Sequence, residues 1–175
     1  MPITYINIAS TTLSSNQATI TFNSIPSTYT DLVLRWSART NRSGWPYDQF
    51  SLRLNNVTTV NNYSYTQLNA SSTSAGTSRG ANTSDIVHVA ATAVTATTNA
   101  FSSGEIYIPN YTSATSKPMT MFTASESDSS TNWYITRTAG QFIPTSTISR
   151  IDFYPTFGAS IIADSTFYLY GIKKN

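Results

Sequence analysis

Residues 29–40 read YTDLVLRWSART, and the alternation in this stretch decides the fold. A β-strand sends successive side chains to opposite faces. Leu32, Leu34, Trp36 and Ala38 then share one face, and Val33, Arg35, Ser37 and Arg39 share the other. The first set is an ordinary core face. The second puts two arginines on one strand of a chain with only ten basic residues, so their partners become the question.

The same period-two pattern recurs in short runs on both sides of it. ITYINIA (3–9) and QATITFNSI (17–25) read as strands, the latter setting Ala18, Ile20 and Phe22 against Thr19, Thr21 and Asn23. QFSLRLN (49–55) places Phe50, Leu52 and Leu54 inward and Ser51 and Arg53 outward. YSYTQLNA (63–70), SGEIYIPNYT (103–112) and KPMTMFTASES (117–127) read the same way. TNWYITRTAGQF (131–142) puts Trp133, Ile135 and Arg137 on one face. TSTISRIDFYPTF (145–157) turns Ile151 and Phe153 inward and Arg150 and Asp152 outward, and ADSTFYLYGIKKN (163–175) closes the chain. The segment 86–101 reads as mainly extended. Between strands, Gly44 and Pro46 punctuate a loop at 40–48. The stretch SSTSAGTSRGANTSD (71–85) has no apolar side chain larger than Ala and reads as a long loop, either docked on a partner or plain surface. The expected fold is all-β: a single domain over 1–175, with about ten strands in two antiparallel sheets packed as a jelly-roll-like β-sandwich.

Composition agrees. Charged residues are 10% of the chain, against about 25% in an average domain. Ser and Thr together number 55 of 175, so hydroxyls and amides build the polar surface. Aromatics are 13%, which with the β-branched content argues against disorder. Net charge is +2 and the basic residues are scattered, which does not suit nucleic-acid binding. Cysteine is absent, which excludes disulfides and thiolate metal sites. No apolar run approaches the length of a membrane helix, and the start lacks the pattern of a signal peptide, so no membrane association is expected. Six N-x-S/T sequons, at Asn41, Asn56, Asn62, Asn69, Asn82 and Asn110, fit the Asn/Ser/Thr-rich composition.

Little in the chain points to chemistry. His88 is the one histidine, set in a Val-rich run, and reads as a packed residue. No nucleophile elbow, zinc-binding helix or phosphate loop occurs. Glu105 and Glu126 are the carboxylate pair that could serve glycoside hydrolysis, though no spacing selects them. SESDSS (125–130) is acidic but lacks the ligand order of a calcium loop. Neither a cofactor, a metal nor an enzymatic activity is expected. The aromatics of SGWPYDQF (43–50) are a stronger lead. Trp45 and Tyr47 suit a core plug, a subunit contact or a sugar-stacking surface.

Three strings carry a resemblance: ITFNSIPSTYTDLVLRW, FSLRLNNVTTVNNYSYTQL and the closing TFYLYGIKKN. With IASTTL (8–13) before them, they resemble small structural proteins of tailed bacteriophages, including marine and cyanobacterial phages. The resemblance covers most of the chain and is weakest over 71–148. It implies a component of the virion exterior, assembled in the bacterial cytoplasm: a capsid decoration (cement) subunit, or a tail or fibre subunit that recognises host surface polysaccharide. It implies coat or tail proteins as partners, a homotrimer by analogy, and no enzyme. Arg35, Arg39, Arg53 and Arg137, with Trp45 and Tyr47, are the candidate interface residues. Intramolecular pairing of the arginines with Asp31, Asp48 or Asp152 is the alternative.

Overall fold

The computed structural model describes residues 4–71, 74–126 and 133–173, apart from the side chains of His88 and Trp133. The acidic turn at 125–130 therefore lies mostly outside the described residues, as do the His88 and Trp133 side chains. Twelve strands are present: β1 (Thr4–Thr12), β2 (Ile20–Phe22), β3 (Asp31–Thr40), β4 (Tyr47–Leu54), β5 (Tyr63–Ser71), β6 (Ser74–Thr83), β7 (Ile86–Ala93), β8 (Ser102–Ile108), β9 (Lys117–Glu126), β10 (Trp133–Phe142), β11 (Ile151–Pro155) and β12 (Thr166–Lys173). Among the described residues there is no helix, and the all-β expectation holds.

The sheet topology corrects the expectation of two separate antiparallel sheets. Hydrogen bonding runs without a break through β2-β11-β4-β7-β3-β8-β9-β10-β5-β6, with β12 beside β3 and β1 beside β12. The link is β3, which has ten residues. Its Leu32–Ala38 portion pairs antiparallel with β8, and its last two residues, Arg39 and Thr40, pair in parallel with Thr92 and Ala93 of β7. At about 3.3 Å per residue such a strand is long enough to serve both runs. One mixed sheet thus folds over itself. Trp36 of β3 lies 4.9 Å from Phe153 of β11 and 6.4 Å from Phe50 of β4, ring centre to ring centre. Phe153 in turn meets Phe167 of β12 at 5.8 Å.

The face of β3 assigned to the core is in the core. Leu32, Leu34, Trp36 and Ala38 are all buried, as are Phe50, Leu52 and Leu54, Ile20 and Phe22, and Ile151 and Phe153. Asp152 departs from expectation. It is buried because Arg150 binds it with Nε and Nη2, each at 2.8 Å, and the Thr21 hydroxyl donates to it at 2.7 Å.

The long loop expected at 71–85 is also corrected, because residues 74–83 form β6. Its register with β5 runs from Ser71↔Ser74 to Tyr63↔Thr83, with one irregularity between Tyr63 and Tyr65. The pairing rests on main-chain hydrogen bonds, which small side chains do not prevent. Turn geometry accounts for much of the asparagine. Asn56, Asn82 and Asn110 sit at φ of 55°, 59° and 46°, the left-handed region that Asn tolerates better than most residues. Asn56 and Asn110 are thus turn positions, and Asn82 is a left-handed residue near the end of β6.

Tyr63 ties β5 to the end of β4. Its buried hydroxyl donates to Leu54 O at 3.1 Å and accepts from Leu54 N at 2.9 Å. Burial pushes this phenol up to about 12 from its ordinary value of 10.0. A phenol raised in the folded state keeps its proton longer there than in the unfolded chain. Its contribution is therefore complete below pH 10 and is lost as pH rises from about 10 to about 12. The slope expected from Tyr63 in that window is about 1.4 kcal/mol per pH unit. Urea unfolding at a series of alkaline pH values is expected to show a shallower decline in Tyr63→Phe, and equal slopes would refute the assignment.

Candidate functional site

The register places one row of side chains across the outer face of the larger run of strands. Thr77 of β6 pairs with Leu68 of β5, which pairs with Arg137 of β10, then Phe122 of β9, Glu105 of β8, Arg35 of β3 and Tyr168 of β12. Cross-strand partners share a face, so the row is continuous. Ile135 lies beside it, two residues from Arg137 on the same strand. Leu68, Ile135 and Phe122 are 60%, 46% and 41% exposed. Arg137 stacks over the Phe122 ring at 4.7 Å. Two shallow apolar hollows of about 510 and 270 Å³ open on this face, and Leu68 and Arg137 line both.

The four candidate arginines do not form one patch. Arg35 and Arg137 share the row but stand three strands apart, about 14 Å at the usual strand spacing. Arg35 Nε donates to Glu105 Oε2 at 2.7 Å, and its guanidinium lies 5.3 Å and 5.9 Å from the Tyr5 and Tyr170 ring centres. The hydrogen bond to Glu105 raises its pKa, with burial opposing. Both side chains of that pair are half-exposed, so it contributes at most about 1 kcal/mol. Arg53 is on β4, away from the row, where Asp85 lies 3.5 Å from its Nη2 and Tyr154 beneath it at 5.0 Å.

Arg39 differs more, since its side chain is buried and its guanidinium is bonded within the chain. Its Nη1 donates to Thr97 O at 2.6 Å and Ala100 O at 3.0 Å. Its Nη2 donates to Val94 O at 2.9 Å and Ala96 O at 3.0 Å. One planar guanidinium thereby closes the 94–100 connection, a task suited to its forked donors. Burial lowers its pKa and Glu126 opposes the shift, while an arginine keeps its charge throughout. The acids expected to pair with these arginines are engaged elsewhere. Asp31 accepts from the Tyr107 hydroxyl and Asn110 N, and Asp48 from three backbone amides.

Trp45 does not plug the core, being 55% exposed. It sits at one end of the fold with Arg42, Tyr47 and Phe157. The Arg42 guanidinium lies 4.4 Å from the Phe157 ring centre, 5.6 Å from Tyr47 and 5.8 Å from Trp45. Tyr47 stacks flat on Tyr134 of β10, with centres 5.2 Å and planes 6° apart. Arg42, Phe157, Leu68 and Phe122 were not singled out from the sequence. For Phe122 a signal existed, because it alternates with the apolar Met119 and Met121 and so falls on the opposite face.

Glu105 and Glu126 stand on neighbouring antiparallel strands. The pairing Ser103↔Ala124 sets them four positions apart along the strand direction, about 13 Å. Each carboxylate also has its own partner: Glu105 accepts from Arg35 Nε at 2.7 Å and Glu126 from the Thr97 hydroxyl at 3.1 Å.

No family model matches the chain, and no curated protein matches it. Among solved structures it is similar to an exo-inulinase from Aspergillus awamori, at 16% identity and a TM-score of 0.47, over 96% of this chain. The chain spans 29% of the length of that enzyme. The expectation that the chain is not an enzyme is not kept. A likeness at this level carries no activity over.

Proposed function

We propose that this chain is an exterior structural subunit of a tailed-phage virion, a capsid decoration subunit that binds coat proteins, and that its folded-over sheet is a jelly-roll-like sandwich. The observation that carries the reading is the outer face bearing Leu68, Ile135 and Phe122, all substantially exposed within one block of three adjacent strands. Grouped apolar exposure of this kind marks a contact surface. The low charge of the chain keeps repulsion between packed copies weak, and many identical contacts multiply a modest affinity. The sequence resemblance supports the same reading, including a trimeric form.

The test mixes the protein with bare capsids of its phage. Co-sedimentation and a higher capsid disruption temperature are expected. Leu68→Glu combined with Phe122→Ser is expected to weaken binding at least tenfold with the fold intact by circular dichroism. Failure of the unaltered protein to bind capsids, or full binding by the double variant, would overturn the proposal.

A further inference from the structure

We infer that the end of the fold carrying Arg42, Trp45, Tyr47 and Phe157 binds an acidic sugar, a uronic or sialic acid residue of a polysaccharide. Two observations carry this together. The first is a charge with no direct ion-pair partner. Among the described residues Arg42 makes no ion pair, and its one side-chain hydrogen bond is from Nη1 to Tyr47 O at 3.1 Å. Its remaining donors have no described partner, while three aromatic rings surround it.

The second observation is that exposed rings sit on loops anchored by polar bonds, several of them to the buried Asp48. Asp48, fully buried, accepts from Phe157 N at 3.2 Å, Gly158 N at 3.0 Å and Gln49 N at 2.7 Å. Asn41 Oδ1 accepts from Ser160 N at 2.8 Å, which fixes the far side of the Phe157 loop. The Trp45 carbonyl accepts from the Thr95 hydroxyl at 2.6 Å. The Arg42 bond to Tyr47 O orients the guanidinium itself. Trp45 and Phe157 remain 55% and 59% exposed on these anchored loops. Ordering them before binding removes a cost that a ligand would otherwise meet.

The chemistry of this end selects the ligand class. Exposed aromatic faces suit the C–H face of a pyranose, and a forked guanidinium with free donors suits a carboxylate. A uronate or sialate presents both in one ring. A neutral sugar would leave Arg42 unanswered. This inference does not depend on attachment to capsids and is tested apart from it.

Isothermal titration, with tryptophan fluorescence alongside, would compare oligosaccharides of galacturonic, glucuronic and sialic acid with their neutral counterparts at low salt. At least one acidic series is expected to bind at least tenfold tighter than its neutral partner, and raised salt is expected to erode the difference. Arg42→Gln is expected to abolish the preference, and Trp45→Ala to abolish binding of both series. Both positions are partly exposed, so unchanged urea midpoints are expected. Binding of none of the sugars, equal binding of both series, or preference retained in Arg42→Gln would overturn the inference. A polyglutamate peptide that bound as tightly as the acidic sugars would overturn the sugar assignment.

Discussion

Arg39→Met is expected to lower the free energy of unfolding by about 3–5 kcal/mol, read as a lower urea midpoint at unchanged slope. The change removes all four bonds from the guanidinium to Val94, Ala96, Thr97 and Ala100 while keeping an unbranched side chain in the space. An unsatisfied buried carbonyl costs about 1–3 kcal/mol. Three of the four bonds are only partly buried, so water can reach some of the freed oxygens, and the full multiple of that figure is not expected. Arg39→Lys is expected to recover less than half of the loss. An ammonium is a compact charge on a flexible stem and does not span two pairs of carbonyls as the planar fork does. Arg35→Met is the control. It removes a half-exposed ion pair and is expected to change stability by no more than about 1 kcal/mol. A loss below about 1 kcal/mol in Arg39→Met would show that the connection is held without Arg39. Its own backbone turns, Ala96 N to Ala93 O and Ala100 N to Thr97 O, would then suffice.

The two arginines of residues 29–40 show how far the sequence was legible. Alternation correctly assigned Leu32, Leu34, Trp36 and Ala38 to the core, because burial of one face imposes a period of two. It placed Arg35 and Arg39 on one face and could not tell them apart. Arg35 lies where β3 has neighbours on both sides and one open face. Arg39 lies where β3 passes to β7, and the 94–100 connection covers it. That difference comes from strand order, which local pattern does not carry. The same limit applies to the row from Leu68 to Tyr168, whose members come from six strands and meet only through register. Residues 74–83 misled for another reason. A strand held by main-chain bonds at the sheet edge needs no apolar side chains, so Ser, Thr, Gly and Ala there look like a loop. At the aromatic end, Trp45 and Tyr47 were visible as a cluster. Arg42 was hidden among loop residues, and Phe157 is brought to it by the Asp48 bonds across more than a hundred residues of chain.

Gly104→Val is expected to destabilise the protein by about 1–3 kcal/mol and Trp36→Ala by about 3–5 kcal/mol. The decisive result is expected from the double variant. Gly104 on β8 stands directly opposite Trp36 on β3. A Cβ at Gly104 would clash with that indole at Cζ2 and its ring neighbours Cε2 and Cη2. The indole cannot swing aside, because Phe153 and Phe50 pack against it from the folded-over part of the sheet at 4.9 and 6.4 Å. A glycine normally weakens a strand interior; here the missing side chain seats the largest residue of the core. Trp36→Ala empties that seat, and the cavity accepts part of the valine that Gly104→Val introduces. The double variant is therefore expected to lose less than the two single losses added together, by about 0.5–3 kcal/mol, the range for residues in contact. Strict additivity in urea unfolding would mean that the valine clashes with something other than the indole, and the seat assigned to Trp36 would be wrong.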